Sequence, residues 1–390
     1  MEDFNYLNCT RYIFGHKKET EVGRILKENN TKKVLVVYGK HSATKNGLID
    51  IVKNSIETNN IKCFLLGGIE PNPKDNLVYD GIKLVKENDI DYLLAVGGGS
   101  VIDTCKAISF GSFIDGDFFD YYLNWKPINK TVPIGVILTI AASGSESSTN
   151  SVITSIKYNK KLGYANELLR PKFAILDPEL TFTLSEKQTF IGIADIIAHL
   201  LERYFSPSKN VYTSDLLIEG CLNSLIYEST PKLKKNLNDY DARSNVMWCG
   251  TLAHSNILGC DRKQDWATHK MSYELSATYG VIHGVAVGIL FPSWMKIVYK
   301  NDVEKFYQFA IKVMHIKEGK NHDEIALEGI KKFKKFLSET LLIPATFSEL
   351  NCGPIDINLL NNNIWKNNAS LGGFKVLTRT DTVNILKNCI

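Results

Sequence analysis

No CxxC pair occurs anywhere in the chain, and its eight cysteines, at positions 9, 63, 105, 221, 249, 260, 352 and 389, are scattered along 390 residues. That pattern excludes a disulfide-stapled scaffold and a zinc ribbon, both of which need paired cysteines. Small buried residues and surface thiols are what remains. Long apolar runs are missing too: the longest, Ile134 to Ala142, falls far short of the ~18 residues a membrane-spanning helix needs. The start Met1-Glu2-Asp3-Phe4 has no basic residues leading into an apolar signal core, so the expectation is a cytoplasmic protein without a membrane partner. Charge of one sign is also lacking. Lys plus Arg outnumber Asp plus Glu by only 46 to 42, and the basic residues form no block that could track a phosphate backbone, so nucleic acid is not an expected partner. There is no internal repeat, no low-complexity stretch, no GxGxxG fingerprint and no GxxxxGK[ST] loop, which removes the standard Rossmann and P-loop readings.

What is there points to two domains, because single hydrophobic cores stop growing at roughly 250 to 300 residues. Apolar content of 44% with 23% charged residues is that of a globular chain. The first half alternates β-branched runs with amphipathic helical stretches: Lys33 to Tyr38, Ile61 to Leu66, Tyr92 to Val96 and Val132 to Thr139. That rhythm predicts a parallel sheet. From about Ser185 such runs nearly vanish, and Gln188 to Phe205, Thr213 to Tyr227, Ala242 to Leu258 and Asp302 to Leu342 carry apolar residues at helical spacing. The fold class is therefore an α/β nucleotide domain, residues 1–184, followed by an all-α domain, residues 185–390. The boundary falls between Asp177-Pro178 and Ser185, where Pro178 interrupts any regular element and Leu184-Ser185-Glu186 reads as a helix start.

Two loops in the first half have the makings of a phosphate site. Gly97-Gly98-Gly99-Ser100 follows one strand and opens a helical stretch; glycines allow close approach of a pyrophosphate, Ser100 can cap the helix, and helix N-termini favour negative charge. A glycine-rich turn with no ligand is the other reading of that loop. The segment Thr139 to Ser148, after the next strand, could line the same crevice, and two such loops after successive strands favour a dinucleotide.

In the second half, Asp195 and His199 stand four apart in an apolar stretch, on one face of a helix. A carboxylate and an imidazole among Ile, Ala and Leu are costly to bury unless paired, either with each other or with a divalent metal. His269 and His283 lie fourteen residues apart, with a helix break predicted at Gly280. The four together offer three nitrogens and one oxygen, a set suited to Fe²⁺ or Zn²⁺ that leaves room for a substrate oxygen. His254, also in an apolar helical stretch, reads as structural.

Several segments, in the right order, give the chain its resemblance to the iron-containing alcohol dehydrogenases, and to their butanol dehydrogenase branch. They are Phe4-Asn5-Tyr6 through Ile13-Phe14-Gly15, Glu70-Pro71-Asn72-Pro73, Gly97 to Asp103, Gly144-Ser145-Glu146, Gly192 to His199, Asp265 to His269 and Gly373 to Leu377. The resemblance implies the fold shared with dehydroquinate synthase-like enzymes: a dinucleotide-binding α/β domain, a helical domain and a metal in the cleft between them. It further implies that Asp195, His199, His269 and His283 hold the metal and that Gly97, Gly98, Gly99 and Ser100 bind the pyrophosphate. Asn72, Asp103, Thr139, Ser143, Ser148 and Lys161 fall at or near other cofactor contacts, and a homodimer is expected. The implied chemistry is hydride transfer between a nicotinamide and a short-chain alcohol or aldehyde such as butanol or butanal, with the metal as Lewis acid and no side-chain nucleophile.

The turn after the first strand run, Tyr38-Gly39-Lys40-His41-Ser42, holds no acid to meet an adenosine ribose and has a lysine nearby. With Gly39 at the ribose, NADP(H) is expected over NAD(H). One departure stands out: Tyr273 occupies the position, four after His269, where relatives usually carry a further histidine. Two other functions compete. A dehydroquinate synthase-like lyase needs basic residues for a phosphorylated substrate, and none occurs in 193–200 or 276–290. A non-catalytic nucleotide-binding regulator finds support only in Tyr273, and an intact ligand set without a metal would be destabilising.

Overall fold

A computed structural model describes residues 1–40 and 47–390; His41 and Ser42 of the cofactor turn lie outside the described residues. The first half forms a six-stranded sheet from β1 (Arg11–Phe14), β2 (Lys33–Gly39), β3 (Lys62–Ile69), β4 (Tyr92–Gly97), β5 (Ile134–Leu138) and β8 (Phe173–Leu176). Every pairing is parallel, in the order β1-β8-β5-β4-β2-β3. A two-stranded hairpin of β6 (Asn150–Ser155) and β7 (Lys160–Ala165) stands apart from it. Helices α1 (Val22–Glu28), α2 (Leu48–Glu57), α3 (Asp75–Asn88), α4 (Gly99–Gly111) and α5 (Phe119–Asn124) intervene between strands. The inner strands β2, β4, β5 and β8 are buried on both faces, which is why β2, β4 and β5 read as continuous apolar runs. In β2, Val34 and Val36 join one core while Leu35 and Val37 join the other, each burial contributing roughly 1.5–3 kcal/mol.

The chain passes outward from β2 to β3, returns across to β4 and continues to β5. Its winding therefore reverses between β2 and β4, and crevices at the carboxyl ends of such strands are where α/β sheets take ligands.

Packing divides the described residues into two compact units, Leu7–Leu184 with Asn236–Ser255, and Met1–Tyr6 with Ser185–Lys235 and Asn256–Ile390. The helix expected over 242–258 forms as α9 (Tyr240–His254) and packs with the sheet: Met247 enters one of its cores and Trp248 meets Tyr12 edge-on.

In the helical unit, Ser185 and Gln188 form a reciprocal capping box that starts the long helix α6 (Glu186–Tyr204). Then come α7 (Tyr212–Asn223), α8 (Thr230–Lys235), α10 (Ala267–Tyr279) and α11 (His283–Val298). The stretch 302–342 is broken into α12 (Val303–Lys312) and α13 (His322–Lys335), with His315 and Gly319 between them in left-handed backbone that no helix accommodates. Helices α14 (Ile357–Asn367) and α15 (Arg379–Lys387) complete it. Among the described residues no strand follows β8, and no helix is long and apolar enough to cross a membrane.

Candidate metal and cofactor site

Three helices of the helical unit deliver the four proposed ligands. Helix α6 places Asp195 and His199 one turn apart, α10 carries His269 in its first turn, and α11 begins at His283. Ligand atoms of Asp195, His199 and His269 all lie within 4.8 Å of one another. His283 Nε2 is 3.6 Å from Asp195 Oδ1, and its ring centroid is 5.3 Å from that of His269. Gly284 permits this: a Cβ there would stand 2.7 Å from the Ile191 carbonyl oxygen of α6.

The protons on the imidazoles follow from their partners. His199 Nδ1 lies 2.8 Å from the main-chain oxygen of Asp195, which can only accept, so Nδ1 carries the hydrogen and Nε2 the lone pair. The Asp195 carboxylate itself is 3.7 Å from that Nδ1, too far for a direct Asp–His hydrogen bond. Ser272 Oγ donates to the His269 carbonyl at 2.7 Å and so accepts from His283 Nδ1 at 3.1 Å. Burial holds the His199 pKa well below its ordinary value, reinforced by His269 and Arg203, and a neutral imidazole is what metal binding needs. Three imidazoles and a carboxylate form a donor set that fits a divalent transition ion.

Around this set stand groups that spacing alone did not single out. Arg203 donates to the His199 carbonyl at 2.9 Å and lies 4.8 Å over the Trp266 ring; burial lowers its pKa to about 9. Glu202 receives hydrogen bonds from 266–269, and Asp265 accepts from Ala267, Gly373 and Phe374 main-chain N–H groups. Burial pushes both carboxyls up to about 7. The Asp195-x₃-His199-x₂-Glu202 spacing puts all three acids and bases on one helical face, a signal that could have found Glu202. The Tyr273 ring lies tilted on His283, centroids 5.6 Å apart.

The proposed cofactor residues belong to the sheet unit. Gly97 ends β4, Gly98 is the extended residue preceding α4, and Gly99 and Ser100 are its first two residues. Ser100 does not cap the helix: the chain enters it two residues earlier than the motif suggests, so the cap position is Gly98, which has no side chain to offer. A Cβ on Gly99 would overlap Ser143 Oγ, bringing the second loop against the first, and Thr139 N–H donates to the Gly97 carbonyl at 3.1 Å. Asp103 accepts from Ser145 Oγ at 2.7 Å and Val152 N–H at 3.1 Å. Lys106, 0% exposed, donates to the carbonyls of Ser145, Ser148 and Asn150 at 2.7 to 2.9 Å and meets Ser148 Oγ at 3.3 Å; burial lowers its pKa to about 8. Asn72, in left-handed backbone after β3, accepts from Lys161 Nζ of the hairpin at 2.8 Å. Gly39 ends β2, and Lys40, the cation beside it, pairs with Glu70 at 2.8 Å. His254, buried beside Asn150 with 3.2 Å between Nε2 and Nδ2, belongs to the sheet unit, whereas His199, His269 and His283 belong to the helical unit.

Comparisons with known proteins cover the whole chain. The iron-containing alcohol dehydrogenase family matches residues 9–178 and the Fe-containing alcohol dehydrogenase C-terminal family residues 189–390. NADH-dependent butanol dehydrogenase B of Clostridium acetobutylicum is 37% identical over 100% of both chains. NADPH-dependent aldehyde reductase YqhD of Escherichia coli is 34% identical over 90% of this chain and 89% of its own. The solved structure of NADH-dependent butanol dehydrogenase A from Thermotoga maritima superposes with a TM-score of 0.95 at 35% identity, covering 100% of this chain and 99% of that one. With both halves matched and a relative 37% identical along its whole length, the chain belongs to the iron-containing alcohol dehydrogenases, a family of NAD(P)-dependent oxidoreductases.

Proposed function

We propose that this protein interconverts short-chain primary alcohols and aldehydes, butanol and butanal among them, using NADP(H) in preference to NAD(H) and a divalent metal, Fe²⁺ or Zn²⁺, held by Asp195, His199, His269 and His283. One observation carries the reading: the convergence of the Asp195, His199 and His269 donor atoms within 4.8 Å of one another, with His283 alongside. When bound, the ion supplies Lewis acidity toward the substrate oxygen and the nicotinamide supplies or accepts the hydride.

The chain's own residues bind and orient. Main-chain amides at the start of α4 meet the pyrophosphate, favoured by the helix N-terminus, while Asn72, Asp103, Thr139, Ser143, Ser148 and Lys161 contact the rest of the cofactor. Apolar Ile193, Ile196 and Ile197 flank Asp195, and 193–200 and 276–290 contain no Lys or Arg, which suits a small uncharged aldehyde better than a phosphorylated lyase substrate. The absence of an acid in 38–42 supports NADP(H). The Lys40 to Glu70 ion pair favours the second reading, NAD(H), because it brings a carboxylate to the end of β2, and relatives named for each cofactor exist.

The test is the initial rate of NADPH and NADH oxidation with butanal. Metal-stripped protein is reconstituted anaerobically with Fe²⁺ or Zn²⁺ beside a matched His269→Ala variant. Turnover that needs metal, runs faster with NADPH and falls by about 100-fold or more in the variant is expected. Metal-loaded protein inert toward every short aldehyde would overturn the substrate assignment, and faster NADH oxidation would overturn the cofactor preference alone.

A further inference from the structure

Glu202 is 0% exposed, and its carboxylate is surrounded by donors from a single stretch of chain. Oε1 accepts from Thr268 Oγ1 and from the His269 N–H at 3.2 Å, and faces His269 Nδ1 at 2.8 Å. Oε2 accepts from the Trp266 N–H at 2.6 Å. The main-chain oxygen of Glu202 accepts from Asp265 N–H at 2.9 Å. The entry to α10 is thus wrapped around one residue of α6.

Two consequences follow. Each oxygen of the carboxylate faces a main-chain N–H that can only donate, His269 N–H on Oε1 and Trp266 N–H on Oε2, so the carboxylate accepts, His269 Nδ1 carries the hydrogen and the lone pair is left on Nε2. The second concerns the backbone. Trp266 has φ 67°, a left-handed conformation that costs a bulky residue roughly 1–2 kcal/mol, and its N–H is the one held by Oε2. That turn sets the direction in which α10 departs and hence where His269 sits, and negative charge is favoured at a helix start.

We infer that Glu202 is the positioning residue of the metal site: it fixes the tautomer and ring direction of His269 and holds the Trp266 turn from which that histidine is presented. The inference rests on the metal reading above. A hydrogen-bonded carboxylate behind a ligating histidine raises the basicity of the coordinating nitrogen, and losing one typically weakens metal binding by about 10–100-fold. Glutamine at 202 would fill the same volume but replaces one acceptor oxygen with a donor NH₂, which must then face either the Trp266 N–H or the donors gathered on Oε1. Removing only the Thr268 hydroxyl leaves the carboxylate with its remaining partners.

The experiment titrates the metal-stripped full chain with Co²⁺ in competition with a chromophoric chelator, and records the Co²⁺ d–d spectrum. Wild type, Glu202→Gln, Thr268→Val, His269→Ala and Asp195→Asn are compared, with far-UV circular dichroism of each metal-free protein. Glu202→Gln is expected to bind Co²⁺ about 10–100-fold more weakly with an altered d–d band, and Thr268→Val to stay within about threefold of wild type. If His269→Ala and Asp195→Asn bind like wild type, the ligand reading itself fails. If those two lose affinity while Glu202→Gln matches wild type in affinity and spectrum, the ligands stand and the role of Glu202 is overturned. A readout independent of any Glu202 variant is ¹⁵N-histidine NMR of the Zn²⁺-loaded wild type, with the His269 signal identified by its loss in His269→Ala: a hydrogen on Nδ1 is expected, and one on Nε2 would overturn the inference.

Discussion

Glu19 is 6% exposed, and burial, opposed by a main-chain hydrogen bond and reinforced by Asp177 and Glu179, pushes its pKa from 4.5 to about 7. Between those two values the folded chain binds more protons at this site than the unfolded chain does, so stability falls as pH rises through that window. The penalty is absent below about 4.5 and complete above about 7. Glu19→Gln removes it, and the melting temperature is therefore expected to rise by a few degrees at pH 8, for a gain on the order of 1 kcal/mol, with little change at pH 4.5. Thermal melts of both proteins at the two pH values check this, and an equal shift at each would remove the titration argument. Single residues also mark where sequence reading stopped. Spacing could nominate Asp195 and His199 because they share a turn, and His269 and His283 because the set of donors was short by two. Spacing could not say which imidazole nitrogen carries a hydrogen. That depends on the Asp195 carbonyl, Glu202 and Ser272, which come together only when three helices pack.

Among the elements, the α6–α11 crossing is the most demanding of its side chains. A methyl group on Gly284 would meet the Ile191 carbonyl oxygen at 2.7 Å and the Asp195 Cβ at 3.4 Å, and a main-chain carbonyl inside a helix cannot turn away. Gly284→Ala should destabilise the fold by about 1–3 kcal/mol and weaken Co²⁺ binding by moving His283 off Asp195. Gly280→Ala is the matched control. It sits at φ 69° with nothing within 4 Å of its Cβ, so it should cost roughly 1 kcal/mol of backbone strain and leave metal affinity unchanged. Melting curves with Co²⁺ titrations of both variants test the distinction, and equal metal affinity in the two would disprove it. Apolar runs in the sequence predict β2, β4 and β5 because each is buried on two faces, and they predict the edge strand β3 from its apolar residues although it is only half-buried. They did not reveal β1, Arg11–Phe14, or β8, Phe173–Leu176: four residues are too few for a period to be counted, and both are defined by register, β1 on β8 and β8 on β5. Helical spacing found α12 and α13 but fused them, since Val313, Met314 and Ile316 carry the apolar pattern past the end of α12; the break lies in the backbone at His315 and Gly319, which turns left-handed.

For the molecule as a whole, the order of the chain and the order of packing differ. The helical unit takes residues on both sides of Asn236–Ser255, and that stretch, with α9, belongs to the sheet unit. All four proposed metal ligands lie in the helical unit and all the proposed cofactor contacts in the sheet unit, so each ligand should protect its own unit first. Ligand at 100 times its dissociation constant stabilises the form that binds it by about 2.7 kcal/mol, which slows amides exchanging through unfolding of that unit by roughly 100-fold. Zn²⁺ alone should then slow exchange in α6, α10 and α11, and NADP⁺ alone in 97–111 and 139–148. Helix α9 is the discriminating reporter, because its neighbours along the chain on both sides belong to the helical unit while Met247 and Trp248 pack with the sheet. Hydrogen exchange read by mass spectrometry should show α9 following NADP⁺. If α9 instead follows Zn²⁺ with no response to nucleotide, the assignment of either the metal or the cofactor to its unit is wrong, and protection in α10 and in 97–111 tells which.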